Sequence, residues 1–322
     1  MKNMDRQFIG KNANEEESLE AKEKLRDIGL EPIAGEKPKT EQELQLISLA
    51  VSGFKKLFEQ YGIEKTIDIT PEQIHFTDCI LFGGSVVSGM ADVGQESIAT
   101  TKKQEIFSLL EIHCFAHEMA HLLSHTRHFA SAKDEVAGDK EVEVTSPRAG
   151  FALERPWNKE ENGEIRHFVG FNEAMTEIIV KKILYAISEE LEKEFKIKEE
   201  ELAKSHIGKR KLKYIPFVKK TMVVSYQQMY VPTVEEIIKK MAEIKSQTLE
   251  EITDQLIKAY FNGESPMLGD IEKTFGTGSA RILSYLGSQG KEVEELIADY
   301  FFVEDVEVRK EIKGEIDDLM RK

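Results

Sequence analysis

Cysteine, tryptophan and proline are scarce in this chain: its 322 residues hold 2 cysteines, 1 tryptophan and 8 prolines. Two thiols, Cys79 and Cys114, exclude a disulfide-dense scaffold and fit a reducing compartment. Long apolar runs are missing as well, and none approaches the roughly 20 residues that a bilayer span needs. The opening MKNMDRQFIGKNANEEESLE lacks the apolar stretch of a secretory signal, so a cytoplasmic protein is expected. Positive charge is in deficit. Against 59 Asp+Glu stand 44 Lys+Arg, a net charge of −15. An acidic surface repels phosphate backbones and anionic lipid heads, so neither nucleic acid nor membrane is expected as a partner. The one basic cluster, Lys209-Arg210-Lys211 with Lys213, Lys219 and Lys220, reads as a solvated helix face.

What is present is a globular balance, 40% apolar and 32% charged, in a chain long enough for one large or two ordinary domains. Residues 1–38 are dense in charge and poor in apolar positions, and read as an acidic N-terminal arm. Thr40-Glu41-Gln42-Glu43 has the form of a capping box. Leu44, Ile47, Ala50, Val51, Phe54, Leu57 and Phe58 then recur at helical spacing up to Gly62. The short runs KTIDIT, HFTDCILFGG and ADVGQESIATT predict a small sheet of short strands. A long helix is expected from about Lys102 to Ser124. Asn162-Gly163 marks a turn between two β-like runs around Trp157, and from Asn172 the pattern is helical again. Residues 188–322 read as helices broken at Pro216, Pro232, Gly263–Pro266 and Gly276–Gly278. The expected class is α+β: a small mixed sheet and one long helix in a lobe spanning 39–187, followed by a mainly helical C-terminal lobe at 188–322.

The chemistry concentrates at His117-Glu118-Met119-Ala120-His121. Histidines at i and i+4 share one helix face and are close enough to grip a single metal ion. Zinc held by neutral imidazoles lowers the pKa of its water to about 7. Glu118, between them, is placed to take a proton from such a water and to pass it to a leaving amine. Such a site needs a third protein ligand. Glu173 and Glu177 lie one turn apart on the later helix, beside the apolar Phe171, Ile178, Ile179 and Val180. One carboxylate is suited to bind metal and the other to accept the spare ring N–H of a ligand histidine. His113 and His125 extend the i+4 ladder, but each step rotates the face by about 40°. They read as ordinary polar helix positions, and His128 as a loop residue.

His117-Glu118-x-x-His121 followed by Asn172-Glu173-x-x-Thr176-Glu177 resembles the gluzincin metallopeptidases. Glu at the last position is nearer the anthrax lethal factor-like branch than thermolysin, which has Asp there. The resemblance implies a zincin-like catalytic lobe and one Zn2+ on His117, His121 and Glu173. It makes Glu118 the general base and Glu177 the partner of a ligand histidine, and it implies a peptide or protein substrate. The lethal factor-like branch carries a tyrosine seven residues before its ligand glutamate, where this chain has Arg166 beside His167. The donor to a tetrahedral oxyanion is therefore sought at His167, or at Tyr226, which pairs with Tyr230 at i+4. A substrate strand is expected to add to an edge formed by Gln95–Thr100, with the Trp157 hairpin as the opposite wall.

Two other readings use the same residues. Peptide deformylases pair an HExxH with an upstream cysteine, but the context of Cys79, Thr-Asp-Cys-Ile-Leu, lacks that family's motif, and Cys79 reads as a small buried hydrophobe. A catalytically silent metal-binding protein acting as a protein-interaction module is the other, although it leaves Glu118 without a use. A two-histidine, one-carboxylate set is also found in non-haem iron sites.

Overall fold

Thr40 starts the first long core helix as the capping box predicts. Its hydroxyl accepts from the Glu43 N–H (3.3 Å), and the Glu43 carboxylate accepts from the Thr40 N–H (2.6 Å). The helix ends at Gly62, whose φ of 61° needs the left-handed freedom of glycine. These features come from a computed structural model, which describes residues 7–11, 15–33, 36–78, 80–82, 85–93, 95–102, 107–132, 142–154, 166–197, 202, 226–264, 267–287 and 290–320. The Trp157 turn, Cys79 and the basic cluster at 209–220 lie outside the described residues.

The chain divides into two units. The first comprises Met1–Gly150, Ile179–Ala203 and Tyr260–Gly263; the second comprises Phe151–Ile178, Lys204–Ala259 and Glu264–Lys322. In the first unit the described elements are β1 (Gln7–Lys11), α1 (Glu15–Gly29), α2 (Glu41–Tyr61), β2 (Ile74–Thr77), β3 (Ile80–Phe82), β4 (Ser85–Val87), β5 (Gly89–Asp92), β6 (Ser97–Thr101), α3 (Leu109–Leu123), β7 (Thr126–Ala132) and β8 (Val142–Ala149). After β9 (Ala152–Glu154) and β10 (Arg166–His167), α4 (Val169–Ala186) begins in the second unit and ends in the first, followed by α5 (Ser188–Phe195).

The predicted mixed sheet is present. Strand β6 lies between a parallel β2 and an antiparallel β5, and β3 and β4 form a separate hairpin. The segment Gln95–Thr100 was expected to be an edge; instead it runs into the central strand β6, and β5 is the edge on that side. Every residue of β6 is buried, as its central place in the sheet requires, although three of its five carry hydroxyls. KTIDIT forms no strand, and strands β7 and β8 were not foreseen; His128, expected in a loop, lies in β7 opposite Phe8 of β1.

The described part of the N-terminal segment includes helix α1, and its end packs onto β2. His75 on β2 is buried, with Nδ1 2.7 Å from a Glu36 carboxylate oxygen and Nε2 3.0 Å from the Gly29 carbonyl. Both ring nitrogens thus face oxygen acceptors. Burial alone would raise the Glu36 carboxyl. Hydrogen bonds from His75, Lys39 and the Ile33 N–H outweigh it and hold the group below the usual carboxylate range.

In the second unit β9 and β10 pair antiparallel, His167 opposite Leu153, so the strands flanking the predicted turn do form a ladder. The remaining helices are Tyr226–Lys245, most of Leu249–Asn262, Met267–Phe275, Ser279–Ser284, Lys291–Phe302 and Val306–Leu319. Their core includes Val234, Ile237, Ile271, Ile282, Ile297 and Phe301. Pro232 does not end a helix as expected. It sits inside Tyr226–Lys245, where burial of Tyr230, Thr233 and Val234 around it offsets a lost bond of about 3 kcal/mol. The fold is thus mostly helical with a small mixed sheet, and no described helix is long and apolar enough to cross a membrane.

A carboxyl held below its ordinary range stabilises the fold above that range and ceases to do so as pH falls through its depressed value. Glu36→Gln is therefore expected to cost about 1–3 kcal/mol near neutrality. Thermal denaturation across a pH series should show the gap from wild type closing as pH drops below the carboxylate range.

Candidate metal centre

Helix α3 is set by its two ends. Ser108 caps it: the Glu111 N–H donates to the Ser108 hydroxyl (3.3 Å), and the Ser108 N–H donates to the Glu111 carboxylate (2.8 Å). This second capping box explains why the helix starts at Leu109 rather than near Lys102. At the other end the Lys65 ammonium donates to the carbonyls of Leu123 and Ser124, satisfying orphan acceptors where the helix dipole is negative. Ile112, Phe115, Ala116, Met119, Ala120, Leu122 and Leu123 bury the helix.

His117, 6% exposed, and His121 meet on one face. Their Nε2 atoms are 3.0 Å apart, and the rings stand edge to face with centroids 4.7 Å apart. Two imidazole nitrogens this close on one helix face are donors able to hold a metal ion, as the HExxH motif requires. Glu173 and Glu177 lie one turn apart on the part of α4 that belongs to the second unit, both half-buried.

His113 lies on α3 one turn before His117, where the i+4 ladder places it. His125 is not a helix position, because α3 ends at Leu123; its N–H donates to the Tyr260 carbonyl (3.1 Å).

The other motif residues of α4 have structural roles. The Asn172 side-chain oxygen accepts from the Phe151 N–H (2.8 Å), and the Thr176 hydroxyl donates to the Asn172 carbonyl (2.9 Å). Both are buried. Phe168 and Gly170 donate their N–H groups to the carbonyls of Ser284 and Leu286, both at 2.7 Å, which anchors the start of the helix.

Glu118 is half-buried beside β5. A Cβ built on Gly89 would lie 2.7 Å from the Glu118 Cγ and 2.8 Å from its Oε1, so the edge strand approaches the carboxylate as closely as a bare backbone allows. No sequence pattern had marked Gly89.

The proposed oxyanion donors fare differently. The Nδ1 of His167 lies 3.3 Å from the Ser284 hydroxyl, near the ring of Tyr285. Tyr226 is the first residue of its helix, and its side chain lies outside the described residues. Tyr230, its i+4 mate, is a core residue whose hydroxyl donates to Glu294 (3.2 Å). Burial pushes the Glu294 carboxyl up, only partly offset by that bond. A residue not foreseen is Tyr260, whose hydroxyl lies 3.5 Å from the His121 Nδ1.

No family model matches the chain, and no curated protein or solved structure matches it either. The grouping of side chains therefore carries the functional argument.

Glu173→Ala should weaken zinc retention by at least about 10–100-fold, the range seen when a metal site loses a supporting group. Chelator competition on the folded variant checks this.

Proposed function

We propose that this chain is a single-zinc peptidase of the gluzincin type, acting on a peptide or protein substrate in a cytoplasmic setting. One observation carries the reading: two Nε2 atoms 3.0 Å apart on an HExxH helix, with the intervening Glu118 beside the edge strand β5. A purely structural site has no use for an intervening glutamate.

His117, His121 and Glu173 would hold the ion, which when bound supplies Lewis acidity toward a peptide carbonyl and toward water. The chain's own groups do the rest. Glu118 takes the proton from the attacking water as the new C–O bond forms. It delivers that proton to the amide nitrogen as the C–N bond breaks. Glu177, one turn beyond Glu173, is the carboxylate suited to accept the ring N–H of a ligand histidine and so hold it in the tautomer that presents a bare nitrogen. The edge strand beside Glu118 is β5, so an extended peptide would pair along Gly89–Asp92 rather than along Gln95–Thr100. His167 and Tyr226 stay candidates for the oxyanion donor, with no contact to a ligand group supporting either.

Glu118→Gln should keep its metal and lose about 10²–10⁴-fold in turnover, the usual worth of a general base. A peptide-library assay with and without chelator, paired with elemental analysis, reads both quantities. If the wild type binds zinc and cleaves nothing, the chain is a metal-holding interaction module. Iron in place of zinc would point to oxidative chemistry.

Gly89→Ala places a methyl against the Glu118 side chain. Turnover should fall while zinc affinity stays at the wild-type value, since Gly89 touches the base and not a ligand.

A further inference from the structure

The segment Tyr260–Gly263 closes over the end of α3 within the first unit. The His125 N–H donates to the Tyr260 carbonyl (3.1 Å). Gly263 lies so near the His125 ring that a Cβ there would fall 2.3 Å from Cδ2, and its φ of +74° is itself a glycine conformation. Phe261 stands edge-on to Phe58 with centroids 4.8 Å apart, and Tyr260 edge-on to Phe261 at 5.0 Å. These contacts fix Tyr260, which is fully buried.

A phenol enclosed in this way needs polar partners. Its hydroxyl has the Ala120 carbonyl at 3.4 Å and the Nδ1 of His121 at 3.5 Å. A tyrosine hydroxyl carries one hydrogen, and the Ala120 carbonyl, which can only accept, is one place for it. With the hydrogen given there, the phenol oxygen accepts from His121 and the ring carries its proton on Nδ1. The nitrogen left bare is Nε2, the atom 3.0 Å from the Nε2 of His117.

We propose that Tyr260 is a positioning residue for the metal centre: it holds His121 in the tautomer and orientation that turn Nε2 toward the ion. The inference rests on the metal reading given above and adds a tether from outside the two motif helices. Outer partners of this kind raise affinity by removing rotamers and tautomers that cannot bind.

The test is Tyr260→Phe, which removes one oxygen and keeps the ring packing. Three quantities are read: zinc affinity by chelator competition, the melting temperature of the metal-free protein, and the tautomer of His121 from long-range proton–nitrogen correlation in the metal-free protein. The expected result is a loss of about tenfold or more in zinc affinity, an unchanged melting temperature, and the appearance of the Nε2-protonated form of His121. If Tyr260→Phe holds zinc as tightly as wild type while Glu173→Ala loses it, the assignment of Tyr260 is overturned and the metal reading stands. If both variants hold zinc at wild-type affinity, the metal reading falls and the role of Tyr260 falls with it. A lowered melting temperature with the tautomer unmoved would make the hydroxyl merely structural and would also overturn the proposal.

Discussion

Two imidazole nitrogens 3.0 Å apart can exist on one helix only while the turn between them stays regular. A helix places i and i+4 on one face, but a frayed or unwound turn separates the rings at once. The rest of the first unit can be understood as what keeps that turn regular. Ser108 fixes the start of α3, the Lys65 ammonium satisfies its last carbonyls, and Met119 and Ala120, inside the motif, are fully buried. Buried residues within the motif leave His117 and His121 little freedom except on the face they share.

Helix α4 meets the same requirement by another route. It has buried polar residues at Asn172 and Thr176, and each is satisfied by neighbouring backbone. An unsatisfied amide oxygen at that depth would cost about 1–3 kcal/mol. The motif letters thus divide into two jobs, the asparagine and threonine holding the helix in place and the glutamates presenting oxygen.

The sequence made the local signals legible and the tertiary ones much less so. The Thr40 box and the Gly62 cap were readable because capping chemistry lies within a few residues. The HExxH face and the paired glutamates were readable because helical periodicity is enough to align them. Strands β7 and β8 were missed because their partners are set by long-range pairing, β1 to β7 being a parallel match between distant segments. The Gln95–Thr100 run was read as an edge although it leads into the central strand, since small residues alternate in neither arrangement. Gly89 and Tyr260 carry no motif at all. One matters for the side chain it lacks and the other for a single hydroxyl, and only packing reveals either.

Charge explains why this arrangement points to a cation. Glu173 and Glu177 are like charges at i and i+4, a pairing that destabilises a helix by a few tenths of a kcal/mol even when exposed. Here both are half-buried, in a chain that already carries a net charge of −15. A like-charged pair on one helix gains where a cation binds it, because both carboxylates then lie in an attractive field. A pairing that breaks a local rule in this way marks a place where the demands of binding, and not of helix stability, fit the residues chosen.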